Sequence, residues 1–229
     1  MTMQLCGVSV SPYFERIIIM LDMKGALDQI ELGAVPGGFK SDAHFVYHPM
    51  GKIPFLIKED GSSLTESQVI AEYLDHKLEG PAMVPGDLDE ATQARLIARI
   101  LDIYYAEAVR PMARVAFGGE ASDEEIAKAR DEDIPRAFDY LEKYMGSGKR
   151  AVGDSWTVAD AALISHLYWF GALMPRFGVE GFGGRPRLTA YWDRVKDTDL
   201  VKRSFERVKK SYDAFTDNPK AGDNDGGAS

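Results

Sequence analysis

The apolar positions read differently on the two sides of Gly80-Pro81. Before that dipeptide, short apolar runs alternate with amphipathic stretches. Gln4 to Val10 predicts a strand, and Pro12 to Lys24 a helix with Ile17, Ile18 and Leu21 on one face. Gly25 sits where a helix commonly stops. Gln29 to Leu32 predicts a second strand, and Val35-Pro36-Gly37-Gly38 a turn. Ser41 to Tyr47 predicts a brief helix, ended ahead of Pro49 because a residue before proline avoids helical dihedrals. Ile53 to Ile57 is a third strand, Glu59-Asp60-Gly61-Ser62 a hairpin turn and Leu64-Thr65 a fourth strand. Ser67 to Leu78 then spaces Val69, Ile70, Tyr73 and Leu74 as one helical face. The order is βαβ followed by αββα.

Beyond Asp89 no strand pattern recurs. Ala91 to Phe117 predicts a long helix with Leu96, Ile100, Ile103 and Tyr104 spaced for burial, broken by Gly118-Gly119. Ser122 with Glu125 forms a capping box that opens a helix towards Met145, and Pro135 predicts a kink or break within it. Thr157 with Asp160 starts a helix through the apolar run Ala161 to Leu173. Pro186 opens another, carrying Leu188, Tyr191, Trp192 and Val195, and a last helix runs from Leu200 to Phe215. The pattern predicts an α+β chain: a mixed domain over 1–79, a linker over 80–88, an all-α domain over 89–215 and a disordered tail over 216–229.

Composition narrows the function. A chain of 229 residues, 45% hydrophobic, is long enough for two packed domains. The net charge of −9 argues against nucleic-acid binding, which needs a basic face, but leaves room for a small anionic ligand beside local cations. Cys6 is the single cysteine, so an internal disulfide is excluded, and its place inside the first strand predicts a buried, inert thiol. No apolar run is long enough to span a bilayer and no leader pattern opens the chain, so a cytoplasmic protein is expected.

Three short stretches carry the chemistry. Ser11 precedes Pro12, which suits the first helical position, so Ser11 sits at the N-cap. Free N–H groups and the helix dipole meet there and favour an anion such as a thiolate. The hydroxyl can cap the helix or donate to that anion, and the stretch alone leaves both open. In Lys52-Ile53-Pro54, a cis peptide would turn the Ile53 backbone outward to pair with an extended peptide, whereas a trans bond leaves an ordinary edge proline. At Thr65-Glu66-Ser67-Gln68, Ser67 suits a carboxylate and Glu66 a neighbouring ammonium, as an amino-acid head group presents them. A ligand with a thiol, a peptide link and a free amino-acid head answers all three.

With those pieces in order, S-P-Y-x-x-R, P-M-G-K-I-P and T-E-S-Q-V-I resemble the thioredoxin-like domain of cytosolic glutathione S-transferases. G-D-S-W-T-V-A-D-A and R-P-R-L-T-A-Y-W-D-R-V resemble that family's helical domain, over about residues 3–210 in all. The resemblance implies a thioredoxin-like N-terminal domain followed by an all-α C-terminal domain, with glutathione as cosubstrate and no metal. It makes Ser11 the catalytic serine of tau-like, zeta-like and many bacterial members, five residues before a structural Arg16, with Ser9 as the runner-up hydroxyl. It places glutathione against Ser11, Pro12, Ile53, Pro54, Glu66 and Ser67, with Lys40 and Lys52 for the glycyl carboxylate. His44 is a weaker candidate, expected as a solvated helix histidine. His48 and Gln68 depart from common family residues without removing a required contact. Asp102 could reach the glutathione of a neighbouring subunit or simply be exposed. Tyr13, Tyr104, Tyr105 and Phe117, with Met112, Trp169 and Phe170, are candidates to line a pocket for a small hydrophobic electrophile. The resemblance further implies a homodimer engaged in detoxification. A non-catalytic ligand carrier and a glutathione-dependent isomerase, dehalogenase or lyase are the alternatives on the same scaffold.

Overall fold

A computed structural model describes residues 2–217. The described residues fall into two compact units, 2–83 with 202–217 and Val84–Val201.

In the first unit, β1 (Gln4–Cys6) leads to α1 (Pro12–Lys24), β2 (Glu31–Gly33), α2 (Asp42–Tyr47), β3 (Phe55–Ile57), β4 (Ser63–Thr65) and α3 (Ser67–Lys77). The strands form one sheet in the order β2-β1-β3-β4, with β1 parallel to β2 and antiparallel to β3, and β3 antiparallel to β4. Leu5, Cys6, Phe55 and Leu56 are buried in the sheet, and α1 buries every residue from Phe14 to Leu21. The α3 stripe is Ser67, Ile70, Ala71 and Leu74; Val69, expected inside, is half exposed. This is the thioredoxin-like arrangement.

The strand ends differ from expectation, β3 starting at Phe55 rather than Ile53 and β4 at Ser63 rather than Leu64. β1 stops at Cys6 because Gly7 takes φ +154°, where an added Cβ would lie 2.3 Å from the Phe14 ring. The chain then turns, with the Ser11 N–H donating to the Val8 carbonyl at 3.0 Å, so Val8 to Val10 is loop. The second strand starts later, because Leu27–Gln29 closes a 3-10 turn first. Gly25 ends α1 in the left-handed region at φ 70°, as the sequence predicts.

The second unit is helical. α4 (Leu88–Ile100) and α5 (Ala106–Ala116) are joined through a π turn, Leu101–Tyr105. α6 (Asp123–Lys128) runs through a second π turn, Ala129–Asp133, into α7 (Ile134–Tyr144). Pro135 lacks an N–H, so the ordinary i→i+4 bond is missing at that point. The Ile134 N–H reaches back to the Ala129 carbonyl, one residue further, and the wider turn absorbs the predicted kink. α8 (Val158–Leu173) is buried at every residue from Val158 to Leu167, and α9 (Pro186–Val195) follows. Both predicted capping boxes form, Ser122 with Glu125 and Thr157 with Asp160.

α10 (Asp199–Asp217) belongs to the first unit from Lys202 onward. Thr216 and Asp217, expected in the tail, complete its last turn; residues 218–229 of that expected tail lie outside the described residues. Among the described residues no helix is long and apolar enough to cross a membrane.

Candidate active site

The sheet register brings the three sequence motifs together. Cys6 pairs with Phe55, and Phe55 pairs with Thr65. The C-terminal end of β1, the N-terminal end of β3 and the C-terminal end of β4 therefore share one edge. The loop to Ser11 leaves from the first, Ile53-Pro54 enters the second, and Glu66-Ser67 leaves the third.

Ser11 is the N-cap of α1, at φ −79° and ψ 121°, and its side chain makes no capping bond. Its carbonyl starts the helix by accepting from the Glu15 N–H at 3.0 Å. The half-buried hydroxyl is thus not consumed by the helix it caps. Five residues on, Arg16 is fully buried and donates from Nη1 to the Ser67 Oγ at 3.3 Å, tying α1 to the start of α3. The same guanidinium lies 5.7 Å from the Tyr13 ring centroid. Ser67 is buried, while Glu66 is exposed and held at φ 70°, a left-handed conformation that side chains other than glycine seldom adopt. Such strain persists where the surroundings fix it, and functional sites are common places for it.

The Ile53-Pro54 peptide is cis. Among the described residues the Ile53 N–H and carbonyl make no main-chain hydrogen bond, so both are available to an extended ligand. Lys52 is exposed and Lys40 half-buried, the latter at φ 58°. His44 corrects the expectation of a solvated ring. It is fully buried, its Nδ1 accepts from the Lys40 N–H at 3.0 Å, and its Nε2 donates to the Lys52 carbonyl at 2.9 Å. Those two bonds define a neutral tautomer and pin both lysine-bearing segments to α2. Phe39 and Phe55 flank the ring, each at 5.4 Å between centroids. His48 is buried beside it. Burial first, then the neighbouring His44, holds its pKa below the ordinary histidine value, with Glu66 pulling the other way. Under the roles that the resemblance implies for Lys40 and Lys52, replacing His44 by leucine is expected to raise the glutathione KM about 5-fold or more by freeing both segments, with kcat changed less; steady-state kinetics at varied glutathione checks it.

Cys6 is buried, and burial pushes its thiol up to about 11, which makes it a poor nucleophile at neutral pH. Ser9, the runner-up hydroxyl, lies against the buried Glu15 carboxyl rather than at the helix mouth, where it opposes the rise in pKa that burial imposes on that group. Glu15 Oε1 also accepts from Ser204 Oγ at 2.8 Å and from Arg207 Nε and Nη2 at 3.0 and 2.8 Å. These α10 contacts lie about 190 residues away in sequence, and no local pattern announces them.

The electrophile candidates separate. Tyr13 belongs to the first unit. In the second, Tyr104 is half exposed, meets Tyr140 edge-on at 5.1 Å between centroids, and lines an open groove of about 390 Å³ with Ile103, Ala108, Pro111 and Tyr140. Phe117 is exposed and meets Trp169 at 5.5 Å. Tyr105 is a correction: its ring is buried between Phe138 and His166, and burial alone carries its hydroxyl far above the usual tyrosine range. Met112 and Phe170 are likewise core residues, and Asp102 is half-buried in the π turn. Among the described residues no cluster of three or more histidine, cysteine or carboxylate groups could hold a metal ion.

A thioredoxin-like sheet with a serine at the mouth of its first helix, a cis-proline edge and a Glu-Ser helix start, coupled to a helical unit, defines the class. The family models agree: residues 5–82 match "Glutathione S-transferase, N-terminal domain" and residues 102–199 match "Glutathione S-transferase, C-terminal domain". The chain belongs to the glutathione S-transferase family, whose cosubstrate is glutathione. It is 32% identical over 225 residues to the uncharacterized GST-like protein YibF of Escherichia coli K12, covering 96% of this chain and all of that one. It is 29% identical over 212 residues to the probable glutathione S-transferase GSTU6 of Oryza sativa subsp. japonica, covering 87% and 86% of the two chains. A tau class glutathione S-transferase from mango, Mangifera indica, shares the fold at a TM-score of 0.75 and 24% identity, over 94% of this chain and 97% of that one.

Proposed function

We propose that the protein is a glutathione transferase in which Ser11 donates a hydrogen bond to the glutathione thiolate, readying it to attack a small hydrophobic electrophile. The observation that carries this reading is the Ser11 hydroxyl, placed at the N-cap of α1 without a capping bond. A free thiol has a pKa near ~8.5, so only a few per cent is ionised at neutral pH. Lowering that by about two units needs roughly 2.7 kcal/mol of preference for the anion. One charge-assisted hydrogen bond supplies roughly 1.5–3 kcal/mol. The helix N-terminus adds about 0.3–1, or up to ~2 when partly buried. The sum suffices without a general base, so Ser11 keeps its proton and glutathione is the nucleophile.

In this reading residues 1–79 supply the glutathione contacts, 80–88 link, and 89–215 supply the electrophile side. Pro12 and the cis Pro54 shape the sulfur end, and Ile53 pairs with the cysteinyl backbone. Glu66 and Ser67 hold the γ-glutamyl head, Lys40 and Lys52 the glycyl carboxylate. Tyr13, Tyr104 and Phe117 are the remaining candidates for the electrophile. A homodimeric, cytoplasmic protein of detoxification goes with this reading.

Retention on immobilised glutathione, followed by glutathione consumption with a panel of electrophiles that includes an aryl halide, tests it. Turnover of any electrophile with glutathione spent supports a transferase; retention without turnover favours a carrier, and turnover with glutathione unspent an isomerase. Glu66→Ala and Ser67→Ala are expected to raise the glutathione KM about 10-fold with smaller changes in kcat, as loss of charge-assisted contacts of about 1.5 kcal/mol each requires. An unchanged KM in both variants removes the head-group assignment.

A further inference from the structure

The Ser11 hydroxyl has no capping bond to aim it, so its position depends on the backbone that precedes it. Within the first unit that loop is held at Gly7, whose N–H donates to the Gly33 carbonyl at 3.3 Å, and by its own turn from Ser11 to Val8. Ser9 is tied to the Glu15 carboxyl, and a further restraint comes from α10. The Val10 N–H donates to Ser211 Oγ on α10 at 3.1 Å. Val10 is the residue immediately before Ser11, so a shift of its peptide moves the Ser11 Cα and Oγ with it.

The register of α10 on α1 is itself fixed. Arg203 grips Asp22 through Nε and Nη2 at 3.1 and 2.9 Å. Ser204 and Arg207 converge on the buried Glu15, one turn into α1 from Ser11. Ser204, Arg207 and Ser211 are spaced as one face of a helix, so the two upstream attachments deliver the Ser211 hydroxyl to Val10.

Building on the serine reading above, we propose that Ser211 is a positioning residue: through the Val10 N–H, α10 sets where the Ser11 hydroxyl meets the glutathione sulfur. The test reads the thiolate of bound glutathione by its ultraviolet absorbance as pH is varied, alongside kcat and KM for glutathione with an aryl halide, in the full chain. Ser211→Ala is expected to raise the pKa of the bound thiol by about half a unit or more, roughly threefold less thiolate at a fixed acidic pH. The acid limb of kcat moves with it, while KM for glutathione stays within about twofold. Ser211→Thr, which keeps the acceptor oxygen, restores the wild-type thiol pKa. Arg203→Ala loosens α10 on α1 at Asp22, about two helical turns before Ser211, and is expected to raise the thiol pKa by less than Ser211→Ala does. A thiol pKa that rises in Ser11→Ala but not in Ser211→Ala overturns the positioning role alone, whatever happens to melting temperature. A rise of equal size in Arg203→Ala overturns it as well, since general loosening then accounts for the effect. A thiol pKa that does not move in Ser11→Ala overturns the serine reading beneath it.

Discussion

Replacing Ser11 by alanine is expected to lower turnover about 10-fold or more while the glutathione KM stays within about twofold. The magnitude follows from the bond that is lost. A charge-assisted hydrogen bond of roughly 1.5–3 kcal/mol corresponds to a factor of roughly 10 to 150 in thiolate population at a pH below the thiol pKa. In the proposed reading the change falls on kcat, because the γ-glutamyl and glycyl ends are assigned elsewhere, to Glu66-Ser67 and to the segments that His44 pins. Some rate survives, because the N–H groups and dipole at the start of α1 remain. The pH profile gives the signature: the acid limb moves upward, and the deficit shrinks at alkaline pH, where solvent ionises the thiol unaided. Equal turnover in mutant and wild type across that range removes Ser11 from the mechanism.

Asp160→Ala is expected to destabilise the second unit by about 3 kcal/mol or more. Asp160 is fully buried and accepts from the Ala151 N–H at 3.0 Å, the Thr157 N–H at 2.9 Å and the Thr157 hydroxyl at 3.0 Å. Alanine leaves the two main-chain donors in the interior without an acceptor, at about 1–3 kcal/mol each. For a chain of this size that is a fall in melting temperature of roughly 5–15 °C, measured by calorimetry or circular dichroism. Burial lifts the Asp160 carboxyl from 3.8 to about 6, with those donors pulling it back. A raised folded-state pKa means that the folded protein holds the proton more tightly. The protonation-linked part of this group's stability is therefore full below about pH 4 and lost as pH rises through about 6, a span of about 3 kcal/mol that adds to the hydrogen-bond loss at acid pH. The alanine variant flattens that part of the stability curve, and a variant curve parallel to wild type there rejects the assignment.

The elements that the sequence announces are those governed by local chemistry. Gly25 stops α1, Ser122 and Thr157 open their helices, and Pro135 marks a distorted turn, because each acts through neighbours within five residues. The alternating apolar pattern of Val8-Ser9-Val10 misleads: Gly7 has already left extended geometry against Phe14, so the alternation continues in a loop. His44 reads as a polar helix position, and only the approach of the Lys40 and Lys52 main chains, with phenylalanines around it, makes its burial tolerable. Tyr104 and Tyr105 are neighbours in sequence but about 100° apart around the helix, so one is half exposed and the other lies in the core. Of the site, the residue types at Ser11, Ile53-Pro54 and Glu66-Ser67 were legible, and the register of three short strands explains why they meet. Ser204, Arg207 and Ser211 were not, since their partners are set by tertiary packing alone.

The first unit is completed by residues that follow the helical unit in sequence, which bears on how the protein is made. During synthesis the sheet and its two longer helices are made before α10, so Glu15 waits for Arg207 across 192 residues and Val10 for Ser211 across 201. The helical unit, continuous in sequence from Val84 to Val201, is fully translated before that wait ends. A nascent chain stalled short of Ser211 would carry every residue proposed above to hold glutathione and still lack the acceptor for the Val10 N–H.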